Sequence, residues 1–340
     1  MTDLAIAGGG PVGLAAALHA ARAGLETVLF EPRAGAVDKA CGEGLMPGAV
    51  AALADLGVRP TGVPFRGIRY VDGRRRAEAA FRRGAGLGVR RTTLHRALRA
   101  AVEESGTKLV DEPVHDLRQD DHGVVVNGIP ARYLLAADGL HSPVRRRLGL
   151  DARPARSRRF GLRTHVPVTP WADVVEVHWA PHAEAYVTPV APDLVGVALL
   201  TSVRAPLAEQ LAAFPELQER MAGHETSKVL GAGPLRQRAT RRVAGRVLLV
   251  GDAGGYVDAL TGEGIALGLA QAREAVTAVV ASDPQGYEAA WRRVSRRHQL
   301  LTHTLLGASR VPPVRRSLVP LASVAPPLFA AAVNELARPV

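Results

Sequence analysis

Three glycine-acidic groups carry the chemistry this sequence can do. Gly8, Gly10 and Gly13 stand in the run Gly8-Gly9-Gly10-Pro11-Val12-Gly13. Glycines at that spacing allow a tight turn, close approach of a pyrophosphate to the backbone, and close packing of a helix on a strand. Glu31 follows, a carboxylate able to accept hydrogen bonds from ribose hydroxyls. Asp138-Gly139 and Gly251-Asp252 each come after an apolar run, Tyr133–Ala137 and Arg246–Val250. Both aspartates fall at the C-terminal end of a buried strand, the edge at which open α/β sheets bind ligands. Capping of the next helix is the structural alternative for each. Thr261-Gly262-Glu263-Gly264 leads into an apolar helix, whose N-terminus is an anion site. Between these groups, Lys39-Ala40-Cys41-Gly42-Glu43-Gly44 offers a thiol and a carboxylate. Cys41 is open to three roles: proton donor, redox thiol, or small packing residue. Glu43 is an acid or base, or a local cap.

The elements that must position these groups are legible. Leu4–Ala7 is a short buried strand, Leu14–Ala23 a helix closed by Gly24, and Thr27–Phe30 a second strand. A strand–turn–helix–strand unit with an acidic residue at its end binds a dinucleotide; the glutamate alone does not decide between NAD and FAD. A helix is expected over residues 265–281. Gly67–Val71 and Ala77–Phe81 flank Asp72-Gly73 and read as a hairpin. Residues 155–235 alternate in short segments, which predicts antiparallel strands, with one helix over Leu207–Met221. The fold class is α/β, α+β overall.

With a further arginine motif, Val89-Arg90-Arg91-Thr92-Thr93-Leu94, these groups occur in a specific order. The chain resembles the flavoprotein superfamily of p-hydroxybenzoate-hydroxylase-type monooxygenases and geranylgeranyl reductases over residues 1–300. The resemblance implies FAD, bound at Gly8, Gly10, Pro11, Val12 and Gly13. It implies that Glu31 holds the adenosine ribose, with Pro32 and Arg33 beside it, and that Arg91 lies along the cofactor. Asp138 and Gly139 would flank the phosphates and a passing nicotinamide. Gly251 and Asp252 would hold the ribityl or phosphate portion, and Gly262, Glu263, Gly264 and Ile265 the flavin pyrimidine edge. The segment with Cys41 and Gly42 would pass the reactive face of the flavin. Two departures stand out. Gly254-Gly255 replaces the histidine usual in the hydroxylases, and Ala259 replaces the proline usual in the reductases.

The implied organisation is a Rossmann-like FAD/NAD(P)-binding domain over 1–66, 85–150 and 236–300. A substrate domain, an antiparallel sheet, is inserted at 67–84 and 151–235, and residues 301–340 form a helical cap. The implied activity is oxidoreduction with NADH or NADPH as donor, directly or through a separate flavin reductase. The favoured reaction is monooxygenation, hydroxylating or epoxidising a hydrophobic aromatic, polyketide or isoprenoid molecule of secondary metabolism. Reduction of a carbon–carbon double bond is the alternative, and a non-catalytic flavin- or nucleotide-binding protein the reading from another class.

Composition bounds the rest. The 340 residues carry a formal charge of +11, and because Lys39, Lys108 and Lys228 are the only lysines, 40 of 43 cationic residues are arginine. They fall in short groups, Arg74–Arg76, Arg145–Arg147, Arg241–Arg242 and Arg296–Arg297, read as solvated surface rather than a nucleic-acid site. One cysteine excludes internal disulfides, and the histidines lack metal-ligand spacing, so no metal is expected. Nothing at the N-terminus reads as a secretory leader, which predicts a cytoplasmic protein. The proline-rich stretch 300–340, flanked by Arg310, Arg315 and Arg316, reads as helices packed on the core, with transient membrane-surface contact as the functional alternative.

Overall fold

Glycine spacing sets the first thirty residues. In the computed structural model, which describes residues 1–73, 75–153 and 158–339, β1 (Thr2–Ala7) runs into the turn, α1 (Pro11–Arg22) leaves it, and β2 (Thr27–Phe30) returns parallel to β1. Pro11 suits the first helical turn, where its missing N–H has no partner to lose. A Cβ on Gly13 would lie 1.8 Å from the Gly8 carbonyl oxygen, so only glycine lets α1 sit this close to the strand.

The chain continues through α2 (Pro47–Asp55), the hairpin β3 (Gly67–Asp72) and β4 (Arg75–Ala80), α3 (Arg91–Glu104), β5 (Lys108–Val110), β6 (Ile129–Ala136) and α4 (Pro143–Arg147). It then enters β7 (Phe160–Val166), β8 (Val175–Trp179), β9 (Ala183–Ala191) and β10 (Leu194–Thr201). After α5 (Leu207–Leu211) and α6 (Pro215–Met221) it returns as β11 (Val243–Ala244) and β12 (Val247–Leu249). It ends in α7 (Gly264–Val280), α8 (Gly286–Ser309), α9 (Pro312–Val324) and α10 (Pro326–Leu336).

Two large sheets result. Among the described residues, the first has eight strands, in the order β11-β12-β6-β1-β2-β5, with Leu117–Gln119 and Val124–Val126 attached beside β6. Its centre is parallel, which requires cover on both faces. Leu4, Ile6 and Leu135 pack against Leu14, Leu98 and Leu269 of the helices on one face. Val28, Phe30 and Leu134 pack with Val144 on the other.

The second sheet has seven strands, Leu230–Ala232 followed by β7-β10-β9-β8-β3-β4. It is not wholly antiparallel as expected: β3 pairs β8 in parallel register, Ile68 opposite Val175. The chain arrives at β3 long before β8, so no tight turn sets their relative direction. One face, with Ala185, Val187 and Leu199, is covered by α5 and α6. The single helix expected over Leu207–Met221 is broken, because Pro215 has no N–H to continue it and starts α6 instead. The other face, with Val177, Trp179 and Leu200, meets Leu260, Leu306 and Val319.

Helices α9 and α10 meet at 105°, since Pro326 disfavours helical backbone at Ala325. Phe329 and Val333 pack on Ala77 and Ala79 of β4, while Leu321, Val324 and Leu328 around the corner stay exposed. No single helix among the described residues is long and apolar enough to cross a membrane. The reading of Arg145–Arg147 as solvated surface is corrected at Arg145, which is 1% exposed. Arg74 of another such group lies outside the described residues.

Candidate active site

The ends of β1, β2 and β6 gather three of the sequence motifs. A Cβ on Gly8 would meet the Ala137 carbonyl oxygen and Asp138 Cα, so the glycine turn lies against Asp138-Gly139. Gly9 donates its N–H to Glu31 Oε2 at 2.8 Å. Glu31 is buried and also accepts from the Arg33 side chain at 2.7 Å from each of two nitrogens. Burial works to raise its pKa, but the bonds from Arg33 and Gly9 outweigh it and hold the carboxyl below its ordinary value. Pro32 is exposed between them.

Gly10 faces open space; the nearest atom to a Cβ there would be Arg91 Nη2 at 4.0 Å. Arg91 is the first residue of α3. The Lys39 Nζ would lie 3.4 Å from a Cβ on Gly139. Lys39 has its pKa pushed down by burial and by the neighbouring Arg33 and Arg91 cations, with Asp252 and Glu31 pulling the other way. Asp252 has its pKa pushed up by burial, against the pull of Arg91, Lys39 and Arg145. Asp138 is likewise raised by burial, although Ser142 and the Val144 N–H bond to it.

Gly251 packs on Val12, bringing the Gly251-Asp252 turn against the start of α1. Arg145 ties that turn to the Asp138 loop. It donates to the Ala253 carbonyl at 3.0 Å, to the Leu140 carbonyl at 3.1 Å and to Asp151 at 2.6 Å. Gly264 and Ile265 open α7, with Tyr256 3.5 Å from where a Gly264 Cβ would be. Gly262 has open space at its Cα. The Glu263 carboxylate turns away to His298 Nδ1 at 3.1 Å.

Cys41 is half-buried, and desolvation pushes its thiol pKa up despite the Arg91 cation. Gly42 offers its carbonyl to the Thr188 hydroxyl at 2.8 Å. Glu43 is buried with a left-handed φ of 58°, and both carboxylate oxygens are engaged. Oε1 accepts the Arg91 N–H at 2.8 Å and Oε2 lies 2.6 Å from His165 Nε2 on β7. Glu43 therefore links α3 of the first sheet's cover to the second sheet.

The sequence alone gives Lys39, Arg145 and His165 no role at this site. Lys39 had a signal: it is one of three lysines in a chain dominated by arginine. His165 shares its strand face with Arg163, two residues away, which alternation alone can show.

A family profile described as FAD binding domain matches residues 1–282. The chain belongs to that family. It is 31% identical to protoasukamycin 4-monooxygenase of Streptomyces nodosus subsp. asukaensis, over 87% of this chain and 84% of the relative. It is 28% identical to a menaquinone reductase of Mycolicibacterium smegmatis, over 87% and 80% respectively. In fold it is similar to a flavoprotein/dehydrogenase from Cytophaga hutchinsonii, with a TM-score of 0.85 at 17% identity, covering 98% of this chain and 92% of that one. The protein is an FAD-dependent oxidoreductase of the monooxygenase and geranylgeranyl-reductase superfamily.

The residues fit the cofactor. Arg91 Nε and Asp138 Oδ1 are buried without hydrogen-bond partners at the edge where the motifs converge. A dinucleotide bound there would supply the acceptors and hydroxyls they lack. Lys39 and Arg91 would neutralise the pyrophosphate with the Gly10 turn and the α1 N-terminus, Glu31 would hold the ribose, and Asp252 and Asp138 the remaining hydroxyls. FAD, when bound, supplies the redox chemistry; the protein binds, orients and excludes water.

Proposed function

We propose that this flavoprotein is an NAD(P)H-dependent monooxygenase that hydroxylates or epoxidises a hydrophobic small molecule. The observation that carries the reading is Glu43. A double-bond reductase needs a protein acid to deliver a proton to substrate carbon beside the hydride. Glu43 is the carboxyl that the reductase-like segment offers, and both its oxygens are taken by His165 and the Arg91 N–H. Oxygen transfer to an electron-rich ring or alkene makes no such demand on Glu43. The apolar layer of Val177, Trp179, Leu200, Leu260, Leu306 and Val319 supports a greasy substrate held between the second sheet and the turn before α7.

Reduction is the second reading, favoured by Cys41. Its thiol keeps its proton because burial raises its pKa, and it lies within electrostatic reach of Tyr256 by the same turn. The FAD-loaded protein with NADH or NADPH and alkylphenol or polyprenyl substrates separates the two. Monooxygenation predicts substrate-dependent NAD(P)H consumption that requires oxygen and a product heavier by one oxygen atom. Full substrate-coupled consumption under nitrogen, with a product gaining two hydrogens, would sink it.

A further inference from the structure

Exposed large apolar side chains such as Val125, Val203 and Val280 are scattered singly, which is ordinary for a protein surface. On α9 and α10 they gather instead. Val314, Leu321 and Val324 stand seven and three residues apart, on one face of α9, while Val319 on the other side of the helix is buried. Leu328 continues the stripe past the corner, with Ala331 one turn further along α10. Val324 is 83% exposed and Leu328 74%. A contiguous apolar patch of this kind marks a surface that something covers.

Positive charge borders the patch at both ends. No aspartate or glutamate stands between Glu288 and Glu335 in the sequence, and exposed Arg310 and Arg316 lie at the start of α9. At the far end of α10 a cleft of about 250 Å³ opens between the helix and the turn after β4. Arg82, Arg83 and Arg338 line it, all three exposed, together with Ala331. Asn334 fixes its wall, accepting the Arg82 N–H at 2.7 Å and donating to the Ala80 carbonyl at 2.9 Å. Glu335, the acid in the cleft, is already matched, 2.9 Å from Arg338 and 3.7 Å from Arg297. Neither Arg82 nor Arg83 forms an ion pair with a described residue.

We propose that the α9–α10 corner docks this protein on an anionic lipid bilayer. Leu321, Val324 and Leu328 enter the acyl region, and Arg82, Arg83 and Arg338 hold lipid phosphates at the cleft. The dimensions agree. From Leu328 to Arg338 the chain rises about 15 Å, enough to reach from the acyl boundary to the phosphates. The two helices together have the hydropathy of a span, but the 105° corner divides them. Each arm is about 20 Å long or less against a hydrocarbon core of about 30 Å, so the pair lies in the interface and does not cross it. Charge decides against a second copy of the chain as the cover. A two-fold contact through this face would set Arg310 and Arg316 against their own copies, whereas anionic lipid complements them.

The inference is independent of the proposed reaction, and its test needs no turnover. The FAD-loaded full chain is floated with vesicles of phosphatidylcholine alone and of phosphatidylcholine mixed with phosphatidylglycerol. Binding to the mixed vesicles should be at least about tenfold tighter and should weaken as salt is added. Val324→Ser with Leu328→Ser changes no charge and should weaken that binding at least about tenfold, with flavin content unchanged. Arg82→Ala with Arg83→Ala should weaken it about tenfold or more on the mixed vesicles and leave phosphatidylcholine binding as it was. Absence of binding to either vesicle, or equal binding to both, overturns the proposal. So does undiminished binding by the serine variant, which would mean that a basic protein merely adsorbs to negative charge. Sedimentation without vesicles supplies the last arm: a parent dimer that the serine variant dissociates would make a second copy the partner and overturn the bilayer.

Discussion

Lys39 shows how a single residue is tuned by its place. Burial and the Arg33 and Arg91 cations lower its pKa, so it surrenders its proton at lower pH than an ordinary lysine. The charged form is the one that faces a pyrophosphate. FAD affinity should therefore fall as pH rises towards the ordinary lysine range, and fall early. Fluorimetric titration of FAD against pH checks this: Lys39→Met should weaken binding about tenfold or more at neutral pH and remove the alkaline decline. Asp252→Ala should likewise lower the flavin retained through gel filtration; undiminished flavin content would refute its role. These two residues act on the same ligand from opposite charge, and their raised and lowered pKa values express one shared desolvation.

At the scale of elements, buried polar ties join what hydrophobic packing leaves separate. Glu43 joins α3 to β7 through Arg91 N–H and His165, at a backbone φ of 58° that a non-glycine residue adopts only when its surroundings hold it. Removal of one member of such a pair leaves the other buried alone. Glu43→Ala should cost about 3–5 kcal/mol in urea unfolding, with His165→Ala close behind. A second tie lies on the other face of the second sheet. Burial would raise the Glu176 pKa, but bonds from His178, Trp171 and Arg69 bring it from 4.5 down to about 2. A depressed carboxyl stabilises the fold above its unfolded pKa, and that stability is lost as pH falls from 4.5 towards 2. Unfolding free energy measured across that window should slope in the parent protein and flatten in Glu176→Gln, which should be about 3 kcal/mol less stable at pH 7.

For the whole molecule, both sheets are discontinuous in sequence. The first draws strands from residues 2–30, 108–136 and 243–249, the second from 67–80, 160–201 and 230–232. The C-terminal helices close the second sheet's inner face. The Phe329 ring lies 4.8 Å from Tyr70, and Tyr70 lies 5.3 Å from Trp179. Phe329→Ala should therefore destabilise the protein by about 3 kcal/mol, although its partners lie far away in the chain. A shift of the urea midpoint with unchanged flavin content is the expected reading; loss of flavin with no shift would show that α10 acts on the first sheet instead.

What the amino-acid order determined alone was local. Gly8, Gly10 and Gly13, the strands before Asp138 and Asp252, and the alternation in 160–201 are written in short-range spacing, because turn chemistry and burial periodicity act over a few residues. The tertiary structure decided the partners. It took Glu43 out of solvent and set it on His165, brought Lys39 to Gly139, buried Arg145 between two loops, and made β3 parallel to β8. Each of these joins residues that no local rule connects. Charges and hydrogen bonds take their value from whatever the fold places beside them, and that is known only once the chain has closed on itself.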